Sequence, residues 1–231
     1  MLPSRAETMS RLADCYRLLK RRLYVSGQTE RAIIDDFHRL YHQVGRIEGS
    51  WGVTWRGRPV AQNPMDLMAM AGIISKQTKP CEILEIGTGE GGSAEFYRDA
   101  GAHVVLTVDL KAPTKFLEAA EMLIGDSRDL RIMDSIQWRF KNGASLVILD
   151  GDHHRQTVLF ELERYSPLVR LDGYLIVCDT HFNGHPIAPE FGPGPWEAVE
   201  AFLATHTDFV RDRDVEPLLT FNPGGYLRRV K

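Results

Sequence analysis

The apolar positions of this chain change period from one segment to the next. Over residues 6–24, Leu12, Tyr16, Leu19 and Leu23 fall on one helical face, and over 29–45 Ile33, Phe37, Leu40, Tyr41 and Val44 do the same. Two amphipathic helices are therefore expected ahead of the main domain, dividing the chain into an N-terminal helical segment, 1–50, and a larger domain, 51–231. Residues 50–63 follow no period and read as a Trp-, Arg- and Gly-rich loop with the composition of a recognition surface. Asn63, Pro64 and Asp66 then spell a helix start: a cap, a proline at the first position and an acid in the first turn.

From residue 83 onward, short apolar runs alternate with helix-compatible segments. Strands are expected at Ile83–Ile86, His103–Val108, Met122–Ile124, Leu146–Leu149 and Tyr174–Val177, with helices near 93–101, 128–141, 155–168 and 196–205. Asp208–Arg211 and Tyr226–Val230 read as a closing pair of strands around Asn222-Pro223-Gly224-Gly225. The result is an α/β sheet whose strands end in acids: Glu85, Asp109, Asp126, Asp150 and Asp179. In an open α/β sheet the carboxyl ends of the strands border the ligand crevice, so these acids are expected to converge there. His181–Gly194, with three prolines, three glycines and two histidines, is expected as an ordered insertion over that crevice.

The turn after the first of these strands carries the chemistry. Gly87, Gly89 and Gly92 satisfy the dinucleotide pattern G-x-G-x-x-G, while Glu85, Gly87, Gly89 and Gly91 satisfy acid-x-G-x-G-x-G. A carboxylate at Glu85 would face a pyrophosphate unfavourably but could receive the ammonium group of a methionine moiety. Asp109, about twenty residues past the glycines, stands where a ribose hydroxyl pair is held, which fits NAD and S-adenosylmethionine equally.

Charge and cysteine content narrow the partners. The 28 basic and 31 acidic residues leave a net charge of −3, so no general attraction to nucleic acid or an anionic membrane is indicated, and the partner is expected to be a small molecule. Cys15, Cys81 and Cys178 lack any C-x-x-C pairing, against a disulfide framework or a zinc cluster and in keeping with a reducing cytoplasm. No stretch approaches a membrane span.

Several motifs together resemble the S-adenosylmethionine-dependent methyltransferases grouped as cephalosporin hydroxylase-like and rhamnosyl O-methyltransferase-like proteins. They are Trp55-Arg-Gly with Gln62-x-Pro64-x-Asp66, the glycine turn through Ser93-Ala94, Gly125-Asp126-Ser127, Asp150-Gly-Asp-His153, Gly173 to Asp179-Thr180, Pro193-Gly-Pro-Trp and Pro223-Gly-Gly-Tyr-Leu. The resemblance spans roughly Trp55–Arg229. It implies a Rossmann-like class I methyltransferase core with a mixed seven-stranded sheet whose last strand is inserted antiparallel. It further implies S-adenosylmethionine held by Glu85, Gly87, Gly89, Gly91 and the Ser93 region, ribose by Asp109, and adenine near Asp126 and Ser127. The expected reaction is methylation of a sugar hydroxyl in a glycosylated natural product, with Asp150 a metal ligand and His153 the general base.

One departure bears on the metal. Where metal-using relatives often carry paired acids or an acid-amide pair, this chain has Cys178-Asp179, and a thiol offers little to Mg²⁺ or Mn²⁺, which leaves two alternatives: Asp150 and Asp179 as the ligands, with waters, or a metal-free site in which His153 alone activates the hydroxyl. No 2-His-1-carboxylate iron site is evident from the spacing, so hydroxylase chemistry is not carried over. The competing readings are a small NAD(P)-dependent oxidoreductase and a non-catalytic cofactor-binding subunit. The N-terminal apolar faces raise the further expectation of a homo-oligomer.

Overall fold

The structure is a computed structural model describing residues 29–48 and 53–231. The helix expected over 6–24 lies outside the described residues. Helix α1 spans Glu30–Glu48. Ile33, Phe37 and Tyr41 are half-buried on it, and Tyr41 packs edge-on against Phe221 with ring centroids 5.0 Å apart. Leu40, expected on the same apolar face, is instead exposed, and the buried residue of that turn is His38. The apolar count along this helix misplaces its contact face because the surface it meets is aromatic and imidazole rather than aliphatic. The side chain of Val44 lies outside the described residues.

The segment before the core is not the irregular loop expected. Thr54–Trp55 (β1) and Arg58–Pro59 (β2) form a small antiparallel hairpin. Its recognition-like residues are used internally: Trp55 Nε1 donates to Asp99 at 2.8 Å, and Arg56 makes a forked pair with the same carboxylate. Helix α2, Pro64–Ser75, starts as the sequence foretells, with the Asn63 side chain accepting from the Met65 N–H.

The core follows as β3 (Glu82–Ile86), α3 (Gly92–Asp99), β4 (Val104–Asp109), β5 (Glu121–Ile124), α4 (Leu130–Arg139), β6 (Ala144–Leu149), α5 (Arg155–Tyr165), β7 (Val169–Val177), α6 (Pro195–Leu203), β8 (Phe209–Arg211) and β9 (Tyr226–Arg229). The main sheet has seven strands in the order β5-β4-β3-β6-β7-β9-β8. Strands β3 to β7 are parallel where they pair, and β9 runs antiparallel between β7 and β8. Parallel strands covered on both faces need apolar residues at both parities, and Ala144–Leu149 is buried at every position. One core layer gathers Leu84, Val147 and Leu175 under α4, α5 and α6; the other gathers Ile83, Leu146 and Ile176 with residues of α2 and α3.

The alternation of strand side chains decides what each strand-end residue can reach. Cys178 shares parity with Tyr174 and Ile176 and sits in the second core layer. Glu85 shares parity with Ile83 and is wholly buried. Among the described residues, no helix is long and apolar enough to cross a membrane.

Candidate active site

A cavity of about 1390 Å³ opens at the carboxyl ends of the parallel strands. Asp109, Asp126, Asp150 and Asp179 all line it, so four of the five strand-end acids converge as their positions imply. Glu85 does not line it. Its Oε2 accepts a hydrogen bond from the Thr107 hydroxyl at 2.8 Å, whereas Oε1 is buried without a hydrogen-bond partner. Burial pushes the Glu85 carboxyl up to about 8, a rise tempered by the Ser93 and Thr107 hydroxyls. The carboxyl lies behind the cavity wall rather than on it. It is a buried anchor beneath the glycine turn.

The turn is shaped by close backbone approach. Gly87 has φ +103°, and a β-carbon there would lie 2.1 Å from the Asp150 carbonyl oxygen. Gly87, Gly89 and Ser93 line the cavity; Gly91 does not, and it turns the chain into α3 where a β-carbon would lie 2.9 Å from the Leu117 side chain. Asp109 closes the turn from the neighbouring strand, its Oδ2 accepting the N–H groups of Thr88 and Gly89 at 3.0 Å each. Its carboxylate thus has a structural duty beyond the ribose role expected of it.

At the far side of the turn, Ser127 donates to Glu161 Oε1 at 2.6 Å, and the Ser127 carbonyl accepts from the Tyr165 hydroxyl. Burial pushes Glu161 up to about 7, and its Oε2 has no hydrogen-bond partner although the residue lines the cavity. Asp126 is occupied by Arg128, whose forked pair holds its carboxyl below the usual range.

The reactive end of the cavity lies between β6 and β7. One ligand-capable atom from each of Asp150, His153 and Asp179 lies within 4.8 Å of the other two, and His153 Nε2 is 3.3 Å from Asp179 Oδ2. Burial pushes both carboxyls up to about 7; each carboxylate's neighbours add to this, Asp179 for Asp150 and Asp66 for Asp179. Burial lowers His153, leaving a neutral imidazole as the ready proton acceptor. Asp179 has the left-handed φ of +56°, uncommon for a non-glycine residue, and its N–H is held by Asn222 Oδ1 at 2.8 Å. Gln62 donates to Asp150 Oδ2 at 2.9 Å and its own amide oxygen accepts from Tyr97.

Two acids whose carboxyls burial raises, with an imidazole beside them, fit a divalent cation, which would favour the ionised forms that burial disfavours. Cys178 is not a fitting ligand: burial drives its thiol well above its ordinary value, and the side chain lies in the core layer behind the site, where it hydrogen-bonds the Asp150 carboxyl and accepts from Gln62 Nε2 at 4.0 Å. The expected ligand pair, Asp150 and Asp179, is therefore together, with His153 close enough to be a third ligand or a base. The insertion after β7 supplies Phe182, Pro186, Ile187 and Phe191 to the opposite wall.

Sequence reasoning gave no site role to Glu161, Tyr97, His38 or His42. Glu161 has a signal in hindsight, an acid one turn after Val158 and one turn before Tyr165 on the buried face of α5. Tyr97 and the two histidines reach the site from other elements, across distances that spacing along the chain does not encode.

Sequence comparison matches the family described as Rhamnosyl O-methyltransferase/CmcI over residues 49–230. A Rhamnosyl O-methyltransferase of Mycobacterium tuberculosis (strain ATCC 25618 / H37Rv) is 33% identical over 214 residues, covering 86% of this chain and 85% of the relative. The Mycobacterium leprae (strain TN) protein of the same description is 32% identical over 226 residues, covering 89% and 95%. Among solved structures, the apo-structure of CmcI superposes with a TM-score of 0.55 at 20% identity, covering 78% of this chain and 76% of that one. The O-methyltransferase TomG from Streptomyces achromogenes, solved in complex with SAM, gives 0.51 at 17%, covering 74% and 82%. These two likenesses concern the fold alone.

Proposed function

Because the chain belongs to the Rhamnosyl O-methyltransferase/CmcI family, its chemistry is methyl transfer to oxygen, and we propose that it methylates a sugar hydroxyl of a glycoside at the Asp150, His153 and Asp179 end of the cavity. The observation that carries this reading is the continuity of one cavity from the glycine turn and Asp109, through Ser127, to that triad. When bound, S-adenosylmethionine supplies an electrophilic methyl carbon on a positively charged sulfur.

A sugar hydroxyl is a weak nucleophile at neutral pH, so its proton must be removed as the oxygen attacks. His153 is neutral and faces the cavity; it takes the hydroxyl proton while the oxygen lone pair forms the new C–O bond and the C–S pair returns to sulfur. The imidazolium so formed lies beside Asp179, whose ionisation it favours. Asp150 and Asp179, with His153 adjacent, would hold a divalent cation that lowers the hydroxyl pKa and steadies the developing alkoxide. Gln62 keeps the Asp150 carboxylate oriented. The aromatic and proline wall from the insertion excludes water and suits the apolar aglycone of a glycoside.

Titration calorimetry with S-adenosylhomocysteine and with NAD tests the cofactor, and transfer of labelled methyl to a panel of rhamnosides and other glycosides tests the acceptor. Binding of S-adenosylhomocysteine alone and labelled methyl ether product are expected. Binding of NAD without S-adenosylhomocysteine would overturn the reading, and transfer only to non-sugar phenols would overturn the acceptor class.

A further inference from the structure

Helix α1 crosses the outer end of the cavity and presents His38 and His42 one turn apart on the same face. They meet His181, which follows β7 and is fully buried. One ring nitrogen from each of the three lies within 4.8 Å of the others. His42 and His181 have ring centroids 4.9 Å apart but Nε2 atoms only 2.8 Å apart, so these nitrogens face each other.

We propose that His38, His42 and His181 form a second metal site, taking a zinc-class divalent ion that clamps α1 to the methyltransferase core. The donor set is the first ground. Three imidazoles select borderline transition ions such as Zn²⁺, Co²⁺ or Ni²⁺, whereas the Asp150, His153 and Asp179 group offers mainly carboxylate oxygen to harder ions. Two histidines at i and i+4 on one helix, joined by a third from elsewhere, is a spacing by which a helix grips such an ion.

The surroundings are the second ground. His181 Nδ1 lies 2.7 Å from the Phe221 carbonyl, so it carries the proton and donates, fixing the tautomer that leaves the Nε2 lone pair toward His42. A ligating histidine is commonly oriented by such a bond to a backbone carbonyl. Among the described residues, His38 Nδ1 is buried with no hydrogen-bond partner, an uncompensated polar atom beside the other two imidazoles. His42 also lines the cavity, which gives room for a water as fourth ligand. Two nitrogens bound to one tetrahedral zinc stand about 3.3 Å apart, so loading the site asks only a small opening of the His42 and His181 contact.

The test uses full-length protein stripped with chelator, titrated with Zn²⁺ by calorimetry and with Co²⁺ by visible absorption, both in millimolar Mg²⁺ to fill the acidic site. One ion per chain, the intense visible bands of a four-coordinate cobalt, and a melting temperature raised by Zn²⁺ above its value in the same Mg²⁺ alone are expected. His38→Ala and His42→Ala are expected to weaken Zn²⁺ by at least about 100-fold, while Asp150→Asn leaves it unchanged. S-adenosylhomocysteine binding reports that each variant is folded. Absence of zinc binding or of the melting shift in the wild type would overturn the proposal, and so would zinc affinity lost in Asp150→Asn but kept in His38→Ala. None of these outcomes depends on methyl transfer.

Discussion

A methyl group on Gly87 would stand 2.1 Å from the carbonyl oxygen of Asp150 and 2.5 Å from its carbonyl carbon. The turn that receives the cofactor and the strand end that carries the reactive acid are thus in backbone contact, with no side chain between them. Gly87→Ala should therefore fail twice, through strain at φ +103° and by displacing Asp150. A loss of stability of about 2 kcal/mol or more is expected, with S-adenosylhomocysteine binding lost. Chemical denaturation and calorimetry check the two parts separately.

Asp109→Ala should weaken S-adenosylhomocysteine at least tenfold, and it should also cost about 1–2 kcal/mol of stability, because the Thr88 and Gly89 N–H groups lose their acceptor. The stability loss distinguishes this carboxylate from one that meets only the ribose. Asp109→Asn, which keeps an acceptor oxygen, should recover most of the stability and little of the affinity. Melting curves beside binding isotherms read the difference.

His153→Ala should lower kcat by about 100-fold or more while the S-adenosylhomocysteine Kd changes little, as expected when a base is lost and binding groups are kept. In the wild type the acid limb of the rate profile should fall below the ordinary histidine range, since burial lowers this imidazole. A single-turnover pH profile measures both. An unaltered kcat in the variant would reassign the base.

Chelation at the acidic site should slow transfer, and Asp150→Asn should reproduce that loss without response to added Mg²⁺. Rate recovery on Mg²⁺ addition to the wild type, and none in the variant, is the expected pair of results. A Cys178→Ala enzyme should keep its metal response, since that thiol is turned into the core.

The pH dependence of stability has a definite sign. Asp150 and Asp179 rise from 3.8 in the unfolded chain to about 7 in the folded one, so folding favours their protonated forms. The stability they contribute is complete below pH 3.8 and is lost as pH rises to about 7, at most about 1.4 kcal/mol per pH unit for each group. Metal-free wild type should therefore lose stability between pH 4 and pH 7 more steeply than Asp150→Asn. Glu85 and Glu161 slope the same way in both proteins and cancel in the comparison.

What was legible in the sequence follows from how far each signal travels along the chain. Asp109, Asp126, Asp150 and Asp179 could be placed because each ends a strand, and parallel strands carry their ends to a common edge. Glu85 has the same parity as Asp109 and Asp150 but stands one residue inside its strand, which ends at Ile86, so it is buried beneath the turn instead of reaching the cavity, and its motif spacing does not reveal that. Trp55 and Arg56 have the composition of a recognition surface, yet both are spent on Asp99, 44 and 43 residues away. His38 and His42 received no reading from the sequence, because the residue that gives them meaning, His181, lies 139 positions beyond His42.

Asp66, which opens α2, is buried and accepts from the Thr220 and Tyr226 hydroxyls and the Phe221 N–H, partners 154 to 160 residues downstream. A chain emerging from the ribosome therefore holds this acid without these donors until Thr220, Phe221 and Tyr226 are made. Strand β9, inserted between two strands already synthesised, arrives in the same interval. Such non-local closure makes folding slow and concentrates it late. The first helix of the domain cannot settle until the final strand is in place, and the loop that holds Asp179 through Asn222 is completed in that same step.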